Sequence, residues 1–281
     1  MANDDSLREL DTFRTLLQFS DGISGANAAP LLVTEHLQAA NLLVEKVAGV
    51  IGEGTHGPYF EVSKNRYAHY FAAGMGTLAP GSLILDVGNA PGHVGIGFSL
   101  MGHRVRGLNL NAEWRSTYPD ERWFKEFDVV EHDLDHARMP FADNTFDAVL
   151  FTEVLEHIAI VDPKSIVEDI RRVLKPGGVL IFSTPNVCNI SNIYALLKGK
   201  NIFWAPEIFY GSLDRHNREY TPVETNHVMT AAGLELVASW GLNDYSNWRA
   251  GGAEFAIQFV AAFGDDHPLC RNTTTGIYKK P

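Results

Sequence analysis

Apolar positions in the first 80 residues recur at helical spacing. In SLRELDTFRTLLQF, Leu7, Leu10, Phe13, Leu16 and Leu17 share one stripe. TEHLQAANLLVEKVAGVIG repeats the pattern between a cap at Thr34 and a stop at Gly52. GPYFEVSKNRYAHYF follows, dense in aromatics. These stretches predict a helical extension over residues 1–80, its stripes serving first as packing surface. From residue 81 the period shortens. SLILDVG, HRVRGLNL, FDVVEHDL and FDAVLF read as strands, each followed by helical or loop spacing, and FTEVLEHI reads as a helix after the fourth. IVEDIRRVLKPGG predicts a helix stopped by Pro and Gly, VLIFSTPN a fifth strand, and TPVETNHVMTAAG a capped helix. LELVASWGL and AEFAIQFVAAF close the pattern as two final strands. Strands alternating with helices imply right-handed crossovers, hence a doubly wound, mostly parallel α/β sheet. One domain over 81–265 is expected, with a long loop insertion at about 186–220 and a tail over 266–281.

Composition narrows the partners. The 281 residues carry 23 Lys plus Arg against 34 Asp plus Glu, a net charge of −11. That balance repels phosphate backbones and argues against a nucleic-acid partner. Cys188 and Cys270 are too few for a disulfide framework, and no apolar run approaches a membrane span. The opening MANDDSLREL places acids where a secretory leader needs basic and then apolar residues. A cytoplasmic protein that does not enter a membrane is the expectation. The pattern carries no signal for oligomeric state.

The chemistry gathers first at DVGNAPGHVG, residues 86–95, a glycine-rich turn from strand to helix. Such a turn lets a ligand approach the backbone and the helix N-terminus. Ala90 and His93 stand where a dinucleotide fingerprint wants glycines, and Asp86 would repel a pyrophosphate. A cationic cofactor suits that carboxylate. ILDVGNAPGHVGI resembles the first motif of the class I S-adenosylmethionine-dependent methyltransferases. The likeness continues through MPFADNTFDAVLFTEVLEHI, RRVLKPGGVLIFSTPN and HNREYTPVETNHVMTAAGLELV, covering residues 81–240. The resemblance implies a seven-stranded Rossmann-like sheet with a reversed C-terminal hairpin, and S-adenosylmethionine as cofactor. It places Asp86, Gly88, Asn89, Ala90 and Gly92 around the methionine half and Asn109 and Leu110 at the ribose. Asp133 and Leu134 fall at the adenine, and Glu153 beneath the sulfonium. Ala90 replaces a glycine of the family pattern and Asn109 replaces its ribose-binding acid. The second change weakens one charged hydrogen bond by about 1 kcal/mol.

Methyl transfer is an in-line displacement that needs a positioned nucleophile and a group to take its proton. His157 and His216 are the candidate bases; packing or loop anchoring is the plainer role for each. Glu153, Glu156 and His157 would share a helical face, and with His216 they are similar to the metal-binding pattern of ubiquinone-pathway and small-RNA methyltransferases. A divalent ion such as Mg²⁺ there stays an alternative, and no metal is assigned. The insertion's Tyr194, Phe203, Trp204, Phe209 and Tyr210 are expected to form the specificity surface or lid. The expected activity is methylation of a small-molecule acceptor, favouring a sugar or natural-product hydroxyl. The rivals are a metal-dependent catechol or RNA 2′-hydroxyl methyltransferase, an inactive cofactor-binding scaffold, and a nucleotide-dependent oxidoreductase.

Overall fold

A computed structural model describes residues 33–52, 57–110, 112–212, 215–242 and 271–281. Two helices lead, α1 at Thr34–Ile51 and α2 at Gly57–Thr77. Then come β1 at Leu83–Val87, α3 at His93–Leu100 and β2 at Arg104–Asn109. A 3₁₀ turn, α4 at Glu121–Glu126 and β3 at Val130–Glu131 follow. β4 at Phe146–Thr152, α5 at Pro163–Val173 and β5 at Leu174–Pro185 complete the parallel part. α6 at Ile190–Leu197 and α7 at Pro206–Phe209 occupy the insertion. The described chain ends with α8 at Pro222–Ala231, β6 at Glu235–Leu242 and β7 at Thr273–Lys279. The strand order is β3-β2-β1-β4-β5-β7-β6, with β7 antiparallel to both neighbours. This is the Rossmann-like methyltransferase fold with its reversed hairpin.

Burial is what decides these elements. Ile84, Leu85 and Val87 of β1 and Ala148 to Phe151 of β4 are essentially inaccessible, as strands covered on both faces must be. One face packs against α1, α2 and α3 through residues such as Val47, Phe71 and Phe98. The other packs against α5 and α8 through Val167, Ile170 and Met229. Among the described residues no helix is long and apolar enough to cross a membrane.

Four expectations change. FDVVEHDL pairs over only two residues, because Asp133 accepts from the Asp135 amide at 2.9 Å and turns the chain away. EVLEHI is not a helix: Glu153 takes a left-handed φ of 55° after β4, and only a 3₁₀ turn, Leu155–His157, follows. The KPGG stretch, expected to end a helix, instead lies within β5. TTTGIYK, expected in the tail, is β7, inserted between β5 and β6. The strand expected over 253–263 and the stripe over 6–19 lie outside the described residues.

Candidate functional site

The turn after β1 is built by backbone shape and then locked by side chains. Gly88 and Gly92 have φ of 73° and 88°, a region that a side chain disfavours. A Cβ at Gly92 would also stand 2.7 Å from the Tyr118 ring. Asp86, 2% exposed, accepts from Asn89 Nδ2 at 2.6 Å. The Tyr118 hydroxyl donates to Asn89 Oδ1 at 2.5 Å and accepts from Asn109 Nδ2 at 2.8 Å. Asn109 Oδ1 in turn accepts from the Ala90 amide at 3.0 Å. Asn109 is therefore buried with both ends of its amide engaged in shaping the turn. Burial pushes the Asp86 carboxyl up to about 7, against the Asn89 and Gly95 hydrogen bonds that lower it.

Beside this turn lies a narrow cleft of about 60 Å³, walled by Tyr59, Arg66, Tyr70, Asp86, Gly88 and Glu153 among others. Asn89 and Ala90 also line it. Arg66 is 1% exposed and donates to Glu153 Oε2 at 2.9 Å. It also donates to Ser63 Oγ at 2.9 Å and to the Tyr59 hydroxyl at 3.3 Å. Ser183 Oγ, itself bonded to the Tyr70 hydroxyl, donates to Glu153 Oε1 at 2.6 Å. Arg66 was missed by the sequence reading. Its signal was present: Tyr59, Ser63, Arg66, Tyr67 and Tyr70 share one face of α2, and a lone Arg on a buried aromatic face needs a partner.

The residues expected from the sequence to face an acceptor meet just beyond. Glu156 is fully buried; its Oε2 accepts from Thr184 Oγ1 at 2.9 Å, whereas Oε1 has no hydrogen-bond partner among the described residues. Burial first, and the Glu153 charge second, raise its pKa. His157 lies with Nε2 3.9 Å from Glu156 Oε1. His216 sets its ring 5.1 Å from His157, edge to face, and stacks under Trp204 at 6.3 Å. Burial alone would lower the His216 pKa. The Glu219 hydrogen bond and the charges of Glu156, Glu219 and Glu153 outweigh it and raise the value. One ligand atom from each of Glu156, His157 and His216 falls within 4.8 Å of the others. Glu153 is not part of this trio, because the left-handed turn sends its carboxylate to Arg66.

The remaining expected residues lie along the same edge but outside the cleft walls. Leu110 is 47% exposed, and Asp133 pairs with His136 Nδ1 at 2.8 Å. Leu134 packs partly against the core. Asp135, not singled out from sequence, accepts from the amides of Ala159, Ile160 and Val161 at 2.9–3.0 Å. It ties the loop after β3 to the one carrying His157. Phe203, Trp204 and Tyr210 of the insertion are exposed.

Residues 85–182 match a family model described as a methyltransferase domain. A ubiquinone biosynthesis O-methyltransferase of Ruegeria pomeroyi is 31% identical over 201 residues, 68% of this chain and 77% of the relative. A sterol 24-C-methyltransferase of Gibberella zeae is 34% identical over 132 residues; the match covers 44% of this chain and a third (33%) of that longer protein. A crystal structure of an S-adenosylmethionine-dependent methyltransferase from Archaeoglobus fulgidus shares the fold. Its TM-score is 0.52 at 17% identity, covering 78% of this chain and 94% of its own.

Proposed function

The chain belongs to the class I S-adenosylmethionine-dependent methyltransferases, and from that premise we propose that it methylates a hydroxyl group of a small-molecule acceptor. The observation that supports an oxygen acceptor is the trio Glu156, His157 and His216, whose first two members follow in the chain just after Glu153, a wall of the cleft. Two imidazoles against a buried carboxyl form a site suited to taking a proton from a hydroxyl. The relatives named for ubiquinone biosynthesis O-methylation agree with oxygen; the sterol relatives, named as C-methyltransferases, do not. A sugar or natural-product hydroxyl is the acceptor class in this proposal.

The cleft's charges suit the cofactor. Arg66 matches an α-carboxylate, while Glu153 and Asp86 match an ammonium and a sulfonium. When bound, S-adenosylmethionine supplies the electrophilic methyl group. The protein's own part is to hold it on the turn from Asp86 to Gly92, to exclude water with α2, and to take the acceptor proton on His157 or His216. Arg66 and Glu153, paired here at 2.9 Å, would be the residues that hold those opposite charges of the cofactor.

A second reading has its own observation. Glu156 Oε1 is buried without a hydrogen-bond partner among the described residues, and the two histidines bring nitrogen atoms within 4.8 Å of a carboxylate oxygen. That donor set, two imidazoles and a carboxylate, fits a divalent cation of the Zn²⁺ kind better than Mn²⁺ or Mg²⁺, which favour oxygen ligands. The cation would sit on Glu156, His157 and His216, without Glu153, and would lower the pKa of an acceptor hydroxyl.

The test is a screen of sugars, phenols and polyols with methyl-labelled S-adenosylmethionine, in Mg²⁺ and in chelator. Label on an acceptor oxygen, lost in His216→Ala, is expected. Transfer only to nitrogen or carbon, or undiminished transfer in His157→Ala and His216→Ala, would overturn the proposal.

A further inference from the structure

Histidine chemistry depends on which ring nitrogen carries the proton, and hydrogen bonds to the other nitrogen decide that. His157 Nδ1 lies 3.1 Å from the Arg215 carbonyl oxygen. A carbonyl only accepts, so Nδ1 carries the proton, and in the neutral ring Nε2 holds the lone pair on the side of Glu156. His216 is oriented the same way, by Glu219 at its Nδ1 at 2.9 Å. Glu219 is a neighbour in the same loop, three residues on. The Arg215 carbonyl is 58 residues from His157 and must be brought there.

Asn217 is placed to do so. Its amide nitrogen donates to the His157 carbonyl at 2.7 Å, and its backbone N–H donates to the Glu156 carbonyl at 2.7 Å. Its side-chain oxygen accepts from Arg215 Nε at 2.9 Å. The Arg218 N–H adds a weaker bond to the Glu156 carbonyl at 3.2 Å. One residue thus grips two successive carbonyls of the 3₁₀ turn and, with its third group, the residue whose own carbonyl meets His157. The turn needs this grip: residues 155–157 form a single 3₁₀ turn after a left-handed residue and cannot hold themselves in register.

We propose that Asn217 is the positioning residue of the acceptor side, clamping loop 215–219 to the Glu156–His157 turn and thereby holding His157 with its proton on Nδ1 and its Nε2 turned to Glu156. Asn217 itself need touch neither cofactor nor acceptor. The proposal rests on the acceptor-side reading of the histidine trio, but its test does not need an identified acceptor.

The experiment is two-bond ¹H–¹⁵N correlation NMR on histidine-labelled full-length protein. The chain has 11 histidines, so His157→Gln serves to assign the signal. In the wild type, at a pH where the ring is neutral, His157 is expected in the Nδ1–H form. In Asn217→Ala that form is expected to give way to a mixture with the Nε2–H form, while His216 keeps the form set by Glu219. Asn217→Asp is the second variant. It keeps the shape and the oxygen facing Arg215 but loses the N–H that grips the His157 carbonyl. The clamp predicts that Asp behaves like Ala; a residue that only fills space predicts that Asp behaves like wild type. S-adenosylhomocysteine affinity should stay within about twofold, and methyl transfer to any acceptor found should fall about 10–100-fold, as for other residues that orient a functional histidine. An unchanged His157 tautomer in both variants, or an Nε2–H form in the wild type, overturns the clamp. A wild type with the expected tautomer and no transfer to any hydroxyl leaves the clamp standing and overturns the proposed function instead.

Discussion

At the scale of single residues, charges held out of water govern the cofactor cleft. Arg66 and Glu153 are an ion pair whose members are 1% and 14% exposed, and removing one partner leaves the other uncompensated. Arg66→Met should therefore cost about 3–5 kcal/mol of stability, and adding Glu153→Gln should restore most of it. Neither variant should regain S-adenosylhomocysteine affinity, since the carboxylate partner is gone from both. Thermal melts with calorimetric titration separate the two effects, and wild-type affinity in Arg66→Met would remove Arg66 from the site. Asp86 makes a pH prediction. Its folded pKa of about 7 lies above its ordinary value of 3.8, so between those pH values the folded state holds the extra proton. Asp86 thus costs stability progressively as pH rises from about 4 to about 7, with the full cost above 7. A cationic ligand prefers the ionised form, so the affinity for S-adenosylmethionine, which carries the sulfonium, should rise from pH 6 to pH 8 with proton release. Calorimetry in buffers of different ionisation enthalpy measures that proton, and Asp86→Asn should abolish the release. An equal slope in the Asn variant would place the titration elsewhere.

At the scale of elements, what was legible in the sequence was what is decided locally. Thr221, Pro222 and Glu224 announce α8, and the structure closes the full capping box: Thr221 Oγ1 accepts from Glu224 N at 3.1 Å while Glu224 accepts from Thr221 N at 2.8 Å. Thr221→Ala should cost about 1 kcal/mol in denaturant unfolding and leave cofactor affinity unchanged. A loss of affinity as well would mean that α8 orients the neighbouring loop 215–219. The β1 turn was legible for the same reason, since positive φ at Gly88 and Gly92 is written in the residue type. Elements decided by distant partners were not legible. EVLEHI has helix-forming residues, yet Ser183 and Arg66 hold Glu153 in a left-handed turn and local propensity loses. TTTGIYK reads as a polar tail because its threonines look solvated. Thr273, Thr274 and Thr275 are instead buried, their strand hydrogen-bonded on both sides between β5 and β6. Arg66 and Asn217 were hidden likewise, because their partners are 87 and 60 residues away.

At the scale of the whole molecule, the carboxyl edge of the sheet divides into two electrostatic compartments. The proposed cofactor side holds the Arg66–Glu153 ion pair and the buried Asp86 carboxyl. The proposed acceptor side holds Glu156, one oxygen of which has no hydrogen-bond partner among the described residues, with two imidazoles near it. The three donors come from two segments, 156–157 and 216. A cation bound there would bridge the turn after β4 to the loop before α8 and act on global stability by mass action. At 100 times its dissociation constant the gain is about 2.7 kcal/mol. At about 2–4 °C per kcal/mol for a chain of this size, the melting temperature should rise by about 5–11 °C. Full-length protein stripped with chelator and then melted with added Mn²⁺, Zn²⁺ or Mg²⁺ measures the shift. The bridge predicts a rise with at least one ion that disappears in His157→Ala and in His216→Ala. It also predicts that Glu153→Gln keeps the rise, because Glu153 faces Arg66 rather than the trio. No rise with any ion would leave the two imidazoles as the proton acceptors. A rise lost in Glu153→Gln would mean that the Arg66 pair opens to complete a four-residue site.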